Sequence, residues 1–172
     1  MNEGALDSIL VRPATSADGP MVARLFAGHL ADLGLRPDPE LDVDMTRFDT
    51  EYVLPRGLLL LALEPGGAAV GMAGVRGDEI RRVFVERPWR GRRLATRLVS
   101  RLLQRVPPPS SGRFRAVLAR DNLPSRRLFL SLGFRPAGLG EADVPARCEV
   151  YELDEATLES RQARQRISCL TC

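Results

Sequence analysis

Residues 88–98 read Pro-Trp-Arg-Gly-Arg-Arg-Leu-Ala-Thr-Arg-Leu: a turn holding Pro88 and Gly91, then a helix start crowded with Arg90, Arg92 and Arg93. The first N–H groups of a helix have no partner inside it, and the helix dipole places partial positive charge at the same end. A diphosphate suits such a place. The N–H groups of Gly91, Arg92, Arg93, Leu94, Ala95 and Thr96 can donate to it, and arginine adds charge-assisted, bidentate bonds. Gly91 lets the anion approach the main chain. Taken alone, the same residues also describe a solvated, arginine-rich helix start, because one glycine beside a helix is a weak signal.

Charge is unevenly spread around this turn. The formal net charge is +3, yet residues 1–80 hold 6 Arg against 13 Asp plus Glu, and residues 81–172 hold 19 Arg against 9 acids. Residues 81–135 are the extreme, with 15 Arg facing Glu86 and Asp121. Such a balance points to an anionic ligand, either a phosphorylated cofactor or nucleic acid. All 25 basic residues are arginine, which codon bias explains. In the acidic half, Asp42, Asp44, Asp49 and Glu51 would attract a cationic substrate, although a solvated helix face is the commoner origin of such a run. His29, the sole histidine, falls on an apolar stripe with Leu25 and Leu33, where a packed histidine is expected rather than a catalyst. Cys148, Cys169 and Cys172 are an odd set for a disulfide framework. The Cys169–Cys172 spacing fits half of a metal site, but a second pair is missing, so no metal is expected.

The elements that must position the turn follow from periodicity and punctuation. Residues 8–12 are predicted as a strand stopped by Pro13. Ser16 is predicted to cap a helix over 17–33 that gathers Val22, Leu25, Phe26, His29, Leu30 and Leu33 on one face. A loop and a short acidic helix fill 34–56, closed by Pro55. Three strand-like runs follow, 57–63, 68–75 and 78–85, separated by Pro65-Gly66-Gly67 and Arg76-Gly77, which predicts an antiparallel meander. Leu94, Leu98, Val99, Leu102 and Leu103 then keep a helical period until Val106 and the triple proline 107–109. A strand over 113–119, a helix over 122–132 with Gly133 as its C-cap, and strands from Phe134 and over 148–153 complete a mixed α/β arrangement.

At 172 residues the chain suits a single domain over 1–153. Residues 154–172 read as a polar helix or loose tail with too little apolar surface to dock firmly. Hydrophobic residues make up 44% and charged residues 27%, ordinary for a soluble globular protein. Glu3 and Asp7 do not fit a signal peptide, and the longest apolar run, Leu58–Leu63, is far short of the roughly 20 residues that span a bilayer. A cytoplasmic protein without a membrane partner is expected.

Two longer stretches, EIRRVFVERPWRGRRLATRLVSRLL and ARDNLPSRRLFLSLGF, together resemble the GNAT superfamily of acetyl-CoA-dependent N-acetyltransferases. The first matches that family's hydrophobic strand, proline and Arg/Gln-x-x-Gly-x-Gly/Ala turn. The second matches its Asn, small residue, Leu-aromatic and terminal Gly-Phe pattern, so the resemblance covers residues 79–134. It implies the GNAT fold, a mixed, mostly antiparallel sheet of about six to seven strands flanked by about four helices, and acetyl-CoA as co-substrate with no metal. Arg90 and Ala95 take the ends of the family turn, while Arg93 stands where its central glycine is expected. The resemblance also places Val83, Phe84 and Val85 along the pantetheine arm, with Asn122, Ser125 and Phe129 on its other side. It makes the N–H of Val85 the donor to the oxyanion. Glu79 stands where many relatives carry a proton-removing glutamate. Phe129 replaces the tyrosine that in many members protonates the leaving thiolate. Read without the family, Val83 and Val85 are strand core, Asn122 is a helix cap and Glu79 is an exposed strand-end acid.

The expected function is transfer of the acetyl group of acetyl-CoA to a primary amine by direct attack in a ternary complex. The amine, on a small molecule or a peptide, is expected to be cationic. A catalytically inactive acyl-CoA-binding module is the alternative that Phe129 motivates. A nucleic-acid-binding protein is the one the arginine excess motivates; Trp89 and a few phenylalanines offer little for base stacking, so no nucleic-acid partner is expected. The oligomeric state is left open, a homodimer included.

Overall fold

Strand β1 (Leu10–Pro13) ends where Arg12 closes a fork on Asp18, Nη1 to Oδ2 and Nη2 to Oδ1 at 2.7 Å each. The computed structural model describes residues 8–40, 42–53, 57–137 and 144–170; Glu3, Asp7, Pro55 and the Cys172 half of the cysteine pair lie outside them. The Asp18 carboxylate also accepts from Thr15 N–H at 2.8 Å and from Thr15 Oγ1 at 2.9 Å. The cap is therefore built by Thr15 and Asp18, not by Ser16 as predicted. One tight helical turn leads into α1 (Gly19–Asp32), with Pro20 in its first turn, where a missing N–H costs nothing. The Arg12 hydrogen bond holds the Asp18 carboxyl well below the usual carboxylate range, against an opposing effect of burial.

The chain forms two compact units, Met1–Pro107 and Pro108–Cys172, which divide within the triple proline. In the first, β1, β2 (Gly57–Leu63), β3 (Ala69–Arg76) and β4 (Glu79–Val85) pair in chain order, all antiparallel. This is the predicted meander. Leu59, Leu61 and Leu63 join a core with Val22, Leu25, Phe26 and Leu30 of α1 and with two short helices, α2 (Val43–Thr46) and α3 (Phe48–Tyr52). Alternate strand residues point to the opposite face, which α4 (Leu94–Leu103) covers with buried Leu94, Leu98, Val99, Leu102 and Leu103. Cover on both faces is why β2 reads as one unbroken apolar run rather than an alternating one.

In the second unit β7 (Cys148–Asp154) pairs antiparallel with β5 (Arg113–Ala119) and with the two-residue β6 (Arg135–Pro136). Helix α5 (Leu123–Ser131) buries Phe129 edge-on against Phe134, ring centroids 5.0 Å apart. Of the polar helix or loose tail expected over 154–172, the described residues form a helix, α6 (Glu155–Leu170). Asp154 caps it through Thr157 N–H at 2.7 Å, Leu158 is buried, and Arg161 Nη1 donates to Ser131 O at 3.0 Å. One apolar anchor and one guanidinium suffice to seat its first turns. Among the described residues the fold is mixed α/β, with seven strands in mostly antiparallel pairings and six helices. The helices exceed the expected number because the acidic segment forms two and the tail a sixth.

Gly74 shows how tightly the α1 face is filled: a Cβ there would lie 2.8 Å from Tyr52 Cε1. Gly74→Ala is expected to lower unfolding free energy by about 1–3 kcal/mol, the usual cost of overpacking, read from the denaturant midpoint at unchanged m-value.

Candidate active site

Strand β4 carries a defect that decides where its end points. Met72 faces Phe84 and Gly74 faces Arg81, so Arg82 and Val83 together oppose Ala73. This is a β-bulge, which bends a strand and re-aims the residues beyond it. Arg82 adopts φ 54°, a left-handed conformation that glycine usually supplies at such a place. Beyond the bulge, Glu86 N–H donates to Val70 O at 2.9 Å. Neighbouring residues turn their backbone groups to opposite edges, so Val85 faces away from β3. Its carbonyl accepts Arg90 Nε at 2.8 Å.

The turn after β4 is braced from α1. Asp32 accepts Arg87 Nε at 3.0 Å and Arg90 Nη2 at 2.6 Å, and the Arg90 guanidinium lies 5.7 Å from the Phe84 ring. Arg90, expected to hold phosphate, is thus occupied in shaping the turn. Arg92 stacks over Trp89 at 5.3 Å, and Arg93 is exposed. Gly91 has φ 74° and Arg93 φ 59°; alternating left-handed residues aim successive N–H groups into one concavity. Among the described residues, no backbone carbonyl accepts from the N–H groups of residues 91–96, and the first bond is Arg97 N–H to Arg93 O at 3.0 Å. The N–H groups of Gly91, Arg92, Arg93, Leu94, Ala95 and Thr96 are thus left without a main-chain acceptor among the described residues. Arg93 takes the conformation of the glycine it replaces.

Other expected residues fall elsewhere. Glu79 opens β4 and sits 3.4 Å from Arg81 Nε. Val85 lies six residues further along the same strand, beyond the bulge. Val83 is half-buried and Phe84 is core. Asn122 caps α5, its Oδ1 accepting Ser125 N–H at 3.1 Å, and Phe129 is 2% exposed. Phe129 packs within the second unit against Phe134. His29 packs 4.6 Å from Phe84 with Nδ1 buried and lacking a partner among the described residues. Burial and then Arg90 push its pKa down, so it is neutral at pH 7.

The acidic run overturns the solvated-face reading. Asp44 is 1% exposed; it accepts Arg82 Nε at 3.0 Å and Tyr52 OH at 2.5 Å, and also pairs with Arg82 Nη2. Arg82 Nη1 reaches Asp42 at 2.9 Å, and its guanidinium lies 4.8 Å from the Phe26 ring. Glu51 pairs with Arg76 at 2.7 Å, while Asp49 is exposed. Burial raises the Asp44 pKa, but hydrogen bonds from Arg82 and Tyr52 with the charges of Arg82 and Arg81 outweigh it, and the pKa falls. Burial and Asp44 push the Tyr52 phenol up. Sequence reasoning missed this cluster. A usable signal was present in Asp44, Phe48 and Tyr52, which place a carboxylate at the i, i+4, i+8 spacing of an apolar face.

Pairing also dissolves much of the charge asymmetry. Arg81, Arg82, Arg87 and Arg90 meet Asp44, Asp42 and Asp32, while Arg113 and Arg126 meet Glu152 and Glu149. The cradle keeps Arg92 and Arg93 exposed.

A family model described as the acetyltransferase (GNAT) family matches residues 28–134. Among solved structures, an acetyltransferase from Streptococcus agalactiae is similar at TM-score 0.72 and 17% identity, covering 86% of this chain and 98% of its own. The yncA protein of Salmonella typhimurium, solved with its cofactor acetyl-CoA, aligns at TM-score 0.65 and 20% identity over 86% and 94%. Spermidine N-acetyltransferase from Vibrio cholerae, in complex with CoA and spermine, aligns at TM-score 0.63 and 12% identity over 89% and 99%. No curated protein matches the sequence. No helix among the described residues is long and apolar enough to cross a membrane.

Two outcomes follow from this geometry. Gly91→Ala is expected to destabilise by about 1 kcal/mol through its positive φ alone, whereas Arg93→Gly relieves the same strain and stabilises by up to about 1 kcal/mol; paired thermal melts read both signs. A depressed Asp44 pKa stabilises the fold above the unfolded carboxylate pKa of about 3.9 and loses that contribution as pH falls through the folded value. Asp44→Asn is expected to cost about 3 kcal/mol at pH 7 and to flatten the acid limb of stability against pH, measured by denaturant titration across pH 2–7.

Proposed function

We infer the activity from one premise: this chain belongs to the acetyltransferase (GNAT) family. It moves the acetyl group of acetyl-CoA to a primary amine by direct attack, both substrates being held at once. The observation that carries this reading is the row of N–H groups over residues 91–96 with no backbone acceptor among the described residues, a fit to the diphosphate of CoA. Gly91, Arg92, Arg93, Leu94, Ala95 and Thr96 hold that diphosphate, and Val83, Phe84 and Val85 line the arm that follows it. Asn122 and Ser125 enter as arm contacts through the family alone.

Acetyl-CoA supplies the activated acyl group as a thioester, and the remaining tasks fall to the chain. Val85 N–H donates to the negative charge that develops on the carbonyl oxygen, a contribution of order 10²–10³ in rate for donors of this kind. The amine nitrogen forms its bond to the acyl carbon, the carbon–sulfur bond breaks, and the amine proton passes to water. Glu86 and Asp32, near this end of β4, are already engaged by Arg24 and by Arg87 with Arg90. Glu79 stands at the far end of β4, six residues from Val85. A thiol of pKa about 8.5 leaves as thiolate without an acid, so phenylalanine at position 129 is compatible with turnover. Because Asp42, Asp44 and Glu51 are paired with arginines, the acceptor is selected more by shape than by cationic charge.

A thiol-release assay with acetyl-CoA over a panel of primary amines tests this reading. Release is expected to rise with pH towards the ionisation of the amine, and Glu79→Gln is expected to keep its rate within about a factor of two. Tight CoA binding with no release for any amine would overturn the enzyme reading in favour of a binding module.

A further inference from the structure

We propose that Arg82 is a positioning residue for acetyl transfer: from the β4 bulge it bolts the segment Asp42–Tyr52 to the strand that ends in Val83, Phe84 and Val85. The inference rests on the acetyltransferase reading above, in which Val85 N–H meets the acyl carbonyl. Three observations converge on it. Arg82 occupies a left-handed conformation, φ 54°, that costs a non-glycine residue stability, so its side chain must be making bonds that hold it there. Those bonds run to Asp44 through Nε at 3.0 Å and through Nη2, and to Asp42 through Nη1 at 2.9 Å. Arg82 is 14% exposed and Asp44 1%, which makes the pair a buried one rather than a surface contact.

The second partner closes the bolt. Tyr52 OH donates to Asp44 Oδ2 at 2.5 Å, and the Tyr52 ring fills the space above Gly74, opposite Arg81 on β4. One guanidinium thus ties both ends of the acidic segment, Asp42 and Asp44 directly and Tyr52 through the shared carboxylate. The next residues along β4 are the ones that face the acyl group. A shift of the bulge moves Val85 N–H relative to the acyl carbonyl, and a misplacement of about 1 Å in such a site costs of order 100-fold in rate. The turn that carries residues 91–96 is braced by Asp32 instead, so the diphosphate contacts of CoA do not pass through Arg82.

Glycine separates backbone from side chain at this position. Arg82→Gly keeps the left-handed bulge and removes the bolt; Arg82→Lys keeps the charge without the fork; Tyr52→Phe keeps the ring and removes one bond. Each is checked for folding by a melting curve, then measured for amine KM, kcat and CoA Kd by calorimetry. The expected result for Arg82→Gly is a fall of about 10- to 100-fold in kcat/KM for the amine, with CoA Kd changed by a much smaller factor because its diphosphate contacts are kept. Arg82→Lys should recover part of it, and Tyr52→Phe should lose activity in the same direction by less. Unchanged amine kinetics in Arg82→Gly, or CoA affinity falling in step with them, overturns the proposal. If Arg82→Gly does not fold, Tyr52→Phe decides alone, and unchanged amine kinetics there overturns it. A wild-type chain that acetylates no amine fails the enzyme reading and takes this inference with it, whereas wild-type turnover with an indifferent Arg82→Gly fails this inference alone.

Discussion

A guanidinium and a carboxylate buried together must each recover what they lost in leaving water, and Arg82 with Asp44 do so by filling nearly every bonding direction. The carboxylate takes two bonds from Arg82 and one from Tyr52, and the third arm of the guanidinium finds Asp42. Pairs of this kind contribute little net stability against an apolar alternative, but leaving one member alone is expensive. Their effect is to permit one arrangement. The bulge in β4, the Tyr52 ring packed on Gly74 and the seating of α2 and α3 are all consistent with that single arrangement.

The turn after β4 applies the same logic at the surface. Asp32 at the end of α1 gathers Arg87 and Arg90, and Arg90 also reaches the Val85 carbonyl. Those arginines define the turn. The donors left for an anion are main-chain N–H groups, whose directions are set by the positive φ of Gly91 and Arg93, and such fixed donors need no reorganisation when charge arrives.

Much of this was legible along the chain. Hairpin punctuation located the meander, and the helical period located α4 together with its free N-terminus. A strand, a turn and a helix start are local events, set by residues within a few positions of one another. Long-range pairing was not legible. Arg82 and Asp44 are 38 positions apart, and a run of acids looks alike whether it faces water or an arginine. Arg90 looked like a phosphate ligand for the same reason, since its partner Asp32 is 58 positions away.

The sequence by itself determined the order of the elements, the cradle at Gly91–Thr96 and the family motifs, because hydrophobic period, turn chemistry and unpaired helix N–H groups are properties of contiguous residues. Tertiary structure alone decided which charges survive pairing, that Asp44 lies buried against Arg82 and Tyr52, and that Phe129 packs on Phe134. Coulomb partners and reach depend on distances through space, and those distances exist only once the strands have paired.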